Sequence, residues 1–329
     1  MKCLVVGDIH AGKKRNNSIF HQILLDYGKW IKEICHQNNI SHIIQLGDIY
    51  DNRFTISAET HNCVNSFIDE LDEFTMDIIV GNHDAMLNDN ASVNWLTPLN
   101  KHPNITIHDK VTVRDDMVFA GWGVKLDDIP PCKLFFGHID TIGFELQKNK
   151  IATHGFKASD LMDKVSGAAF TGHYHLPQTR TYDKKPLCYV GSAFSLDWND
   201  QDSKKYVYIL DTDTLEVTKI HNNESPIFIH IANETQLDQV NDNFVSINYV
   251  MGEEGEKWKR TIQNLKPLEI KTYKIQERVQ QVDSEIEQFK VIDIRDTLGL
   301  WPIDNLNNIP EYLKIKIAEK AQLMYDKHI

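Results

Sequence analysis

The chain has 329 residues and a mass of 38.0 kDa, with 41% hydrophobic and 25% charged residues. These are ordinary globular values that exclude a disordered chain, and no apolar run in the sequence reaches membrane-spanning length. A net charge of -12 at pH 7 argues against attraction to nucleic acid over the whole surface, but it leaves room for a local anion site built on bound cations.

The size fits one large domain with an appendage. Cys3, Cys35, Cys63, Cys132 and Cys188 are scattered and never form a Cys-x-x-Cys pair. A disulfide framework and a zinc knuckle are therefore not expected, and the thiols read as reduced core filler. The opening Met1-Lys2-Cys3-Leu4 reads as the start of a strand rather than as a signal peptide, so a cytoplasmic protein is expected.

Residues 2–7 read as a short buried strand followed at once by Asp8 and His10. Apolar residues from Ile19 to Ile34 recur on one face of a helix spanning 19–38, and Ser41 to Leu46 is a second buried strand. The resulting β-α-β unit implies a parallel pair. The pattern repeats with a helical stripe over 58–74 and a strand from Met76 to Val80. Beyond residue 100 the chain is mainly strand-like, with one short helix expected over 158–164, so a second sheet should pack on the first.

A polar stretch, His221-Asn222-Asn223-Glu224-Ser225-Pro226, follows a hairpin over 207–220 and suggests a boundary. The domains expected are 1–222 as the main domain, 223–275 as a small α+β cap, and 276–329 as a linker with a helical tail. The stripe over 309–326, with Trp301, Leu313, Ile317 and Leu323, is too small for a core of its own, so it should pack on its own chain or on a partner.

Chemistry enters at the strand ends. Five apolar runs each finish in glycine followed by a polar group: Gly7-Asp8, Gly47-Asp48, Gly81-Asn82-His83-Asp84, Gly137-His138 and Gly172-His173-Tyr174-His175. Asp-x-His and Gly-Asp are weak signals alone, because turn aspartates are common. Together the junctions offer oxygens from Asp8, Asp48 and Asn82 and imidazoles from His10, His138, His173 and His175. Such a set suits two borderline divalent ions sharing a carboxylate, with Mn2+ or Fe2+ chemically apt. Two ions about 3.5–4 Å apart can activate water and polarise a phosphoryl oxygen. The absence of cysteine disfavours a closed zinc site. Trp122 and Trp198 read as structural.

These motifs, in this order and spacing over residues 1 to about 220, resemble the calcineurin-like metallophosphoesterases, and within them the Mre11/SbcD nuclease family, including its short phage form. Ala152-Thr153-His154-Gly155-Phe156 and Tyr189-Val190-Gly191-Ser192 strengthen the closer match. The resemblance implies a two-sheet sandwich flanked by helices (α/β/β/α), with the α+β cap and helical tail appended. It also implies a Mn2+-dependent DNA exonuclease or endonuclease acting on double-stranded ends and single strands, with Mg2+ or Fe2+ as alternative metals.

By that resemblance Asp8, His10, Asp48 and His175 hold one ion, and Asp48, Asn82, His138 and His173 hold the other. His83 is then free to protonate the leaving oxygen or to stabilise the transition state, with Asp51 or Asp84 orienting its ring. The tail would grip a Rad50/SbcC-like SMC ATPase, and a homodimer is compatible. If phage-encoded, the protein would act in the host cytoplasm. The rival readings are a phosphatase or small-molecule phosphodiesterase on the same scaffold, and a non-catalytic interaction module.

Overall fold

The computed structural model describes residues 1–148, 150–250, 252–275 and 310–326. The chain forms two compact units, residues 1–277 and 278–329. In the first unit the elements run β1 (Lys2–Val6), α1 (Ser18–Asn38), β2 (His42–Gln45), α2 (Ala58–Glu70), β3 (Thr75–Ile79) and β4 (Ile105–His108). Then come β5 (Thr112–Arg114), β6 (Met117–Ala120), β7 (Cys132–His138), the small hairpin β8 (Glu145–Gln147) and β9 (Lys150–Ile151), α3 (Ala158–Met162) and β10 (Val165–Gly172). The main body closes with β11 (Gln178–Tyr182), β12 (Lys185–Tyr189), β13 (Tyr206–Asp211) and β14 (Val217–His221).

The expected sandwich is present. One sheet has the order β14-β13-β1-β2-β3-β4 and the other β11-β12-β10-β7-β6-β5. Side chains alternate across each strand, as a period of two requires. Leu4 and Val6 face the layer beneath α1 and α2, while Cys3 and Val5 face the gap between the sheets. Leu134 and Phe136 fill that gap from β7, and Phe135 turns outward to a third layer with Leu161 and Met162 of α3. α1 is capped by Asn17, whose side chain accepts from the Ile19 N–H, and α2 is capped by Ser57. All five cysteines are buried and free.

The segment after β14 is held more firmly than its polar composition suggests. Asn222 is buried and donates to the Ala193 carbonyl and to Ser225. Beyond it lie β15 (Phe228–Ile231), β16 (Phe244–Val250), α4 (Glu253–Asn264) and β17 (Glu269–Ile275), with the strands parallel in the order β15-β16-β17. This sheet has its own apolar cluster, including Ile231, Val245, Ile247 and Ile262. It also joins the main body, because Phe244 stacks on Phe228 at 4.4 Å and on Phe20 of α1 at 5.3 Å. The 223–275 segment thus lies within the first compact unit.

In the second unit, α5 (Glu311–Asp326) forms where a helical stripe was expected, and Leu313 and Ile317 are exposed. The expected linker over 276–288, the apolar stretch containing Trp301, and the Leu323 side chain lie outside the described residues. Among the described residues no helix is long and apolar enough to cross a membrane.

One buried polar cluster has a structural role. Asp77 of β3 faces the gap between the sheets and accepts from His42 Nε2 at 2.8 Å, His108 Nε2 at 2.9 Å and the Arg114 guanidinium. Burial works against its charge, but His108, His42 and Arg114 outweigh burial and hold the carboxyl well below its usual range. A depressed carboxylate contributes stability above its unfolded value, near ~3.9, and loses it as pH falls toward the native value. Asp77→Asn should therefore cost about 3 kcal/mol at neutral pH. In urea denaturation the gap between wild type and variant should close as pH is lowered below about 4; a gap that does not change with pH would refute this role.

Candidate metal centre

The five polar junctions converge. β1, β2 and β3 lie side by side in the first sheet and β7 and β10 in the second, all parallel within their sheets. Their carboxyl ends open on one edge, where α/β folds place their sites. The loops are stitched by backbone: Ile9 and His10 N–H donate to the Asp48 carbonyl, and Ala193 N–H donates to that of Asp8.

Three residues of the set adopt left-handed backbone: His10 (φ 50), Asp48 (φ 51) and His173 (φ 88). Such conformations cost a non-glycine residue about 1–3 kcal/mol and gather at functional sites. Glycine is needed beside them for room. A Cβ on Gly81 would sit 2.2 Å from Asp48 Oδ1, and one on Gly172 would sit 2.5 Å from Asp8 Oδ1.

The donor atoms fall into overlapping groups: Asp8, His10 and His175; Asp48, His138 and His173; and His10, Asp48 and His83, each within 4.8 Å. Asp48 Oδ2 lies 3.6 Å from His10 Nε2 and 3.4 Å from His138 Nε2, between the first two groups. Asn82 Oδ1 lies 2.9 Å from His138 Nε2 and 2.8 Å from His173 Nδ1. His10 Nε2 and His175 Nε2 face each other at 2.9 Å.

The set fits divalent metal ions. Asp8 Oδ1 is buried without a hydrogen-bond partner, and His10 turns Nε2 toward Asp48 and His175 while Nδ1 lies 3.2 Å from Asp51. His138 donates its Nδ1–H to the Leu46 carbonyl at 2.7 Å, which turns the Nε2 lone pair toward Asp48 and Asn82. His173 pairs Nε2 with Asp140 Oδ1 at 2.8 Å and so turns Nδ1 inward.

The electrostatics agree. Burial lowers His10, and burial with His10 and Lys205 nearby holds His175 well below its usual value, so both rings are neutral donors. Burial opposes charge on His138, yet Asp48 and Asp8 outweigh it and raise the ring to about 10. Burial also opposes charge on Asp48, but His138 holds that carboxyl well below its usual range. Burial, with Asp48 beside it, raises Asp8 well above its usual value. A metal ion entering here takes the place of protons.

His83 is half-buried, and its Nδ1–H donates to the Asp51 backbone carbonyl at 2.7 Å, which leaves Nε2 as the nitrogen able to carry a transferable proton. The two carboxylates expected to orient it do other work. Asp84 is fully buried and accepts from the N–H groups of Ile49, Tyr50 and Gly81, pinning the loops after β2 and β3 together. Burial and then Asp48 raise its carboxyl to about 6. The Asp51 carboxylate turns away from His83 toward Lys13 Nζ at 3.1 Å and His10 Nδ1 at 3.2 Å, the latter off hydrogen-bond alignment. The role of Asp51 toward His83 thus passes through its carbonyl, which any residue would supply.

One neighbour, Asp140, escaped the sequence reading, and a second, Trp122, was weighed there as a cleft residue and set down as structural. Asp140 orients His173, and its only trace is the alternation His138-Ile139-Asp140, which puts both side chains on one side of the strand end. Trp122, read as structural, lies with its ring 5.1 Å from that of His173 and its Nε1–H on the Asn88 carbonyl.

Over 241 residues the chain is 29% identical to exonuclease subunit 1 of Enterobacteria phage T4, covering 68% of each chain. Among solved structures it is similar to a dimetal phosphatase from Danio rerio (10% identity, TM-score 0.39, covering 67% of this chain and 98% of that one). A hypothetical protein from Pyrococcus horikoshii is similar at 11% identity, with a TM-score of 0.37, covering 67% of this chain and 87% of that one. The family model of the calcineurin-like phosphoesterases matches residues 1–177, and the chain belongs to that family.

Proposed function

We propose that this chain is the nuclease subunit of a DNA-processing complex, hydrolysing phosphodiester bonds with two divalent cations, Mn2+ in preference to Mg2+ or Fe2+. The observation that carries the reading is the single carboxylate, Asp48, set between two groups of imidazole and oxygen donors. Asp8, His10, Asp48 and His175 would hold one ion, and Asp48, Asn82, His138 and His173 the other. Bound ions supply the positive charge that polarises a phosphoryl group and makes water a competent nucleophile.

The chain's own residues do the rest. The Leu46 carbonyl and Asp140 fix the rings of His138 and His173. Asp84 locks the two loops that carry Asp48 and Asn82. His83 holds a proton at Nε2 for the departing oxygen, and the Asp51 carbonyl sets its tautomer.

The DNA substrate rests on the similarity to the phage exonuclease subunit. The acidic net charge favours the rival, a small phosphoester substrate. End-labelled single-stranded and duplex DNA, assayed with Mn2+ against Mg2+ beside a small chromogenic phosphodiester, separates the two. The nuclease reading expects DNA to be the better substrate, and slower cleavage of DNA than of the small diester would favour the phosphatase.

The same reading assigns an ATPase of the Rad50/SbcC type as partner, bound through the tail. Leu313 and Ile317, one helical turn apart and both exposed, offer it an apolar stripe. Removing residues 290–329 should leave hydrolysis of the small diester intact, because every donor of the metal centre lies in the first compact unit, and should abolish co-purification with the ATPase. Unchanged complex formation would refute the assignment.

A further inference from the structure

The donors of the centre come from both sheets, so each half of it depends on how one sheet is tied to the other. Asp48 and Asn82 follow strands of the first sheet and meet His138 and His173 of the second, and there a bond crosses between the sheets, from the His138 ring to the Leu46 carbonyl. In the other half Asp8 and His10 follow β1 of the first sheet, and His175 follows β10 of the second. The His175 ring meets His10 Nε2 at 2.9 Å and Asp8 Oδ2 at 3.9 Å, both of them donors themselves. Here the surrounding fold holds the residue by its backbone instead.

The His175 carbonyl accepts from the Lys205 ammonium at 2.9 Å and from the Ser192 N–H at 3.2 Å. The next N–H, that of Ala193, donates to the Asp8 carbonyl at 2.8 Å. Gly191 (φ 83) permits the approach, since a Cβ there would lie 2.8 Å from the His175 carbonyl oxygen. Lys205 stands just before β13, which pairs with β1. Its side chain therefore reaches from the first sheet to the donor loop of the second.

Lys205 is 3% exposed and its ion-pair partner Asp200 is 4% exposed. One Asp200 oxygen accepts from Lys205 and the other from the Leu196 N–H at 2.8 Å. Burying such a pair takes two charges out of water and gains little over apolar side chains of the same size, so stability is a poor account of it. A charged donor does hold a carbonyl more firmly than a neutral one. Asp200 cancels the charge that would otherwise repel a cation at His175.

We propose that Lys205 is a positioning residue for the ion assigned to Asp8, His10, Asp48 and His175: it clamps the His175 backbone to the first sheet and so keeps the ring beside Asp8 and His10. The inference rests on the metal-centre reading and deepens it. The clamp acts on one ion, because His138 and His173 have their own anchors in the Leu46 carbonyl and Asp140.

The test is isothermal titration of Mn2+ into the EDTA-dialysed full-length chain. Lys205→Met should weaken one of the two sites about 10- to 100-fold, the range for losing an outer partner of a metal ligand, and leave the other as in wild type. The weakened site should be the one lost in His175→Ala, so adding Lys205→Met to His175→Ala should cost nothing further. A lysine that only stabilised the fold would show no such dependence on the His175 ring. Lys205→Met leaves the Asp200 carboxylate buried without its partner, so the double variant Lys205→Met with Asp200→Asn is measured beside it. No charge is then orphaned, and stability in urea should recover while the metal affinity does not.

Two sites of wild-type affinity in the double variant would overturn the clamp and leave the metal centre intact. Equal weakening of both sites, or a loss that adds in full to that of His175→Ala, would overturn it too. A wild-type chain that binds no Mn2+ would overturn the metal-centre reading and the clamp with it.

Discussion

Replacing His83 by alanine should lower turnover about 10²- to 10⁴-fold, the range for loss of a general acid, while two metal ions remain bound. The geometry sets the terms of this experiment. The imidazole stands within reach of both His10 and Asp48, so distance alone admits it as a ligand. Its Nδ1–H is committed to the Asp51 carbonyl, and its ring packs edge-on to His10 at 4.8 Å rather than joining the donors around Asn82. If it carries a proton, calorimetric metal titration of His83→Ala matches wild type and only kcat falls. A small leaving group of low pKa should recover part of the lost rate, because it departs without protonation. Loss of an ion in the variant would make His83 a ligand instead.

Asp48→Ala should abolish activity by the opposite route. Its Oδ2 faces both His10 and His138, and its Oδ1 accepts the His83 N–H at 2.8 Å. Removing it takes a donor from both groups at once and frees the backbone that presents His83. The loss of metal affinity should exceed the roughly 10- to 100-fold typical of losing an outer partner of a metal ligand. Asp140→Asn, which touches His173 from outside, should fall within that range. A variant in which Asp48→Ala binds metal as tightly as Asp140→Asn would show that Asp48 is not shared.

The contrast between these residues shows what the sequence made legible. Strand-glycine-ligand junctions are readable because a buried parallel strand is a near-continuous apolar run, and whatever follows its glycine must emerge at the same sheet edge. The sandwich follows from the same period, seen in the way Val5 and Val6 or Phe135 and Phe136 part to opposite layers. Side-chain direction in the loops is another matter. Asp84 neighbours His83 in sequence, yet it folds back to satisfy three buried N–H groups, a demand that becomes visible only when the loops are brought together. Asp51 turns to Lys13 and His10 because those are the cationic or N–H-bearing groups within reach.

Long-range partners were hidden for the same reason. Asp140 and His173 lie 33 positions apart in sequence and meet only because β7 and β10 pair in register, with Gly172 opposite His138. Asn222 shows the converse in the polar stretch read as a boundary. A polar run suggests solvent, but one buried amide bridging Ala193 and Ser225 docks the chain end of β14 against the body.

The account rests on one centre with two sets of donors sharing Asp48, and isothermal titration of Mn2+ into EDTA-dialysed protein tests it most directly. Two ions bound per wild-type chain, with fewer in Asp48→Ala and two retained in His83→Ala, is the expected result. Absence of Mn2+ binding by the wild-type chain would contradict it, and would leave the fold as a scaffold for interaction rather than hydrolysis.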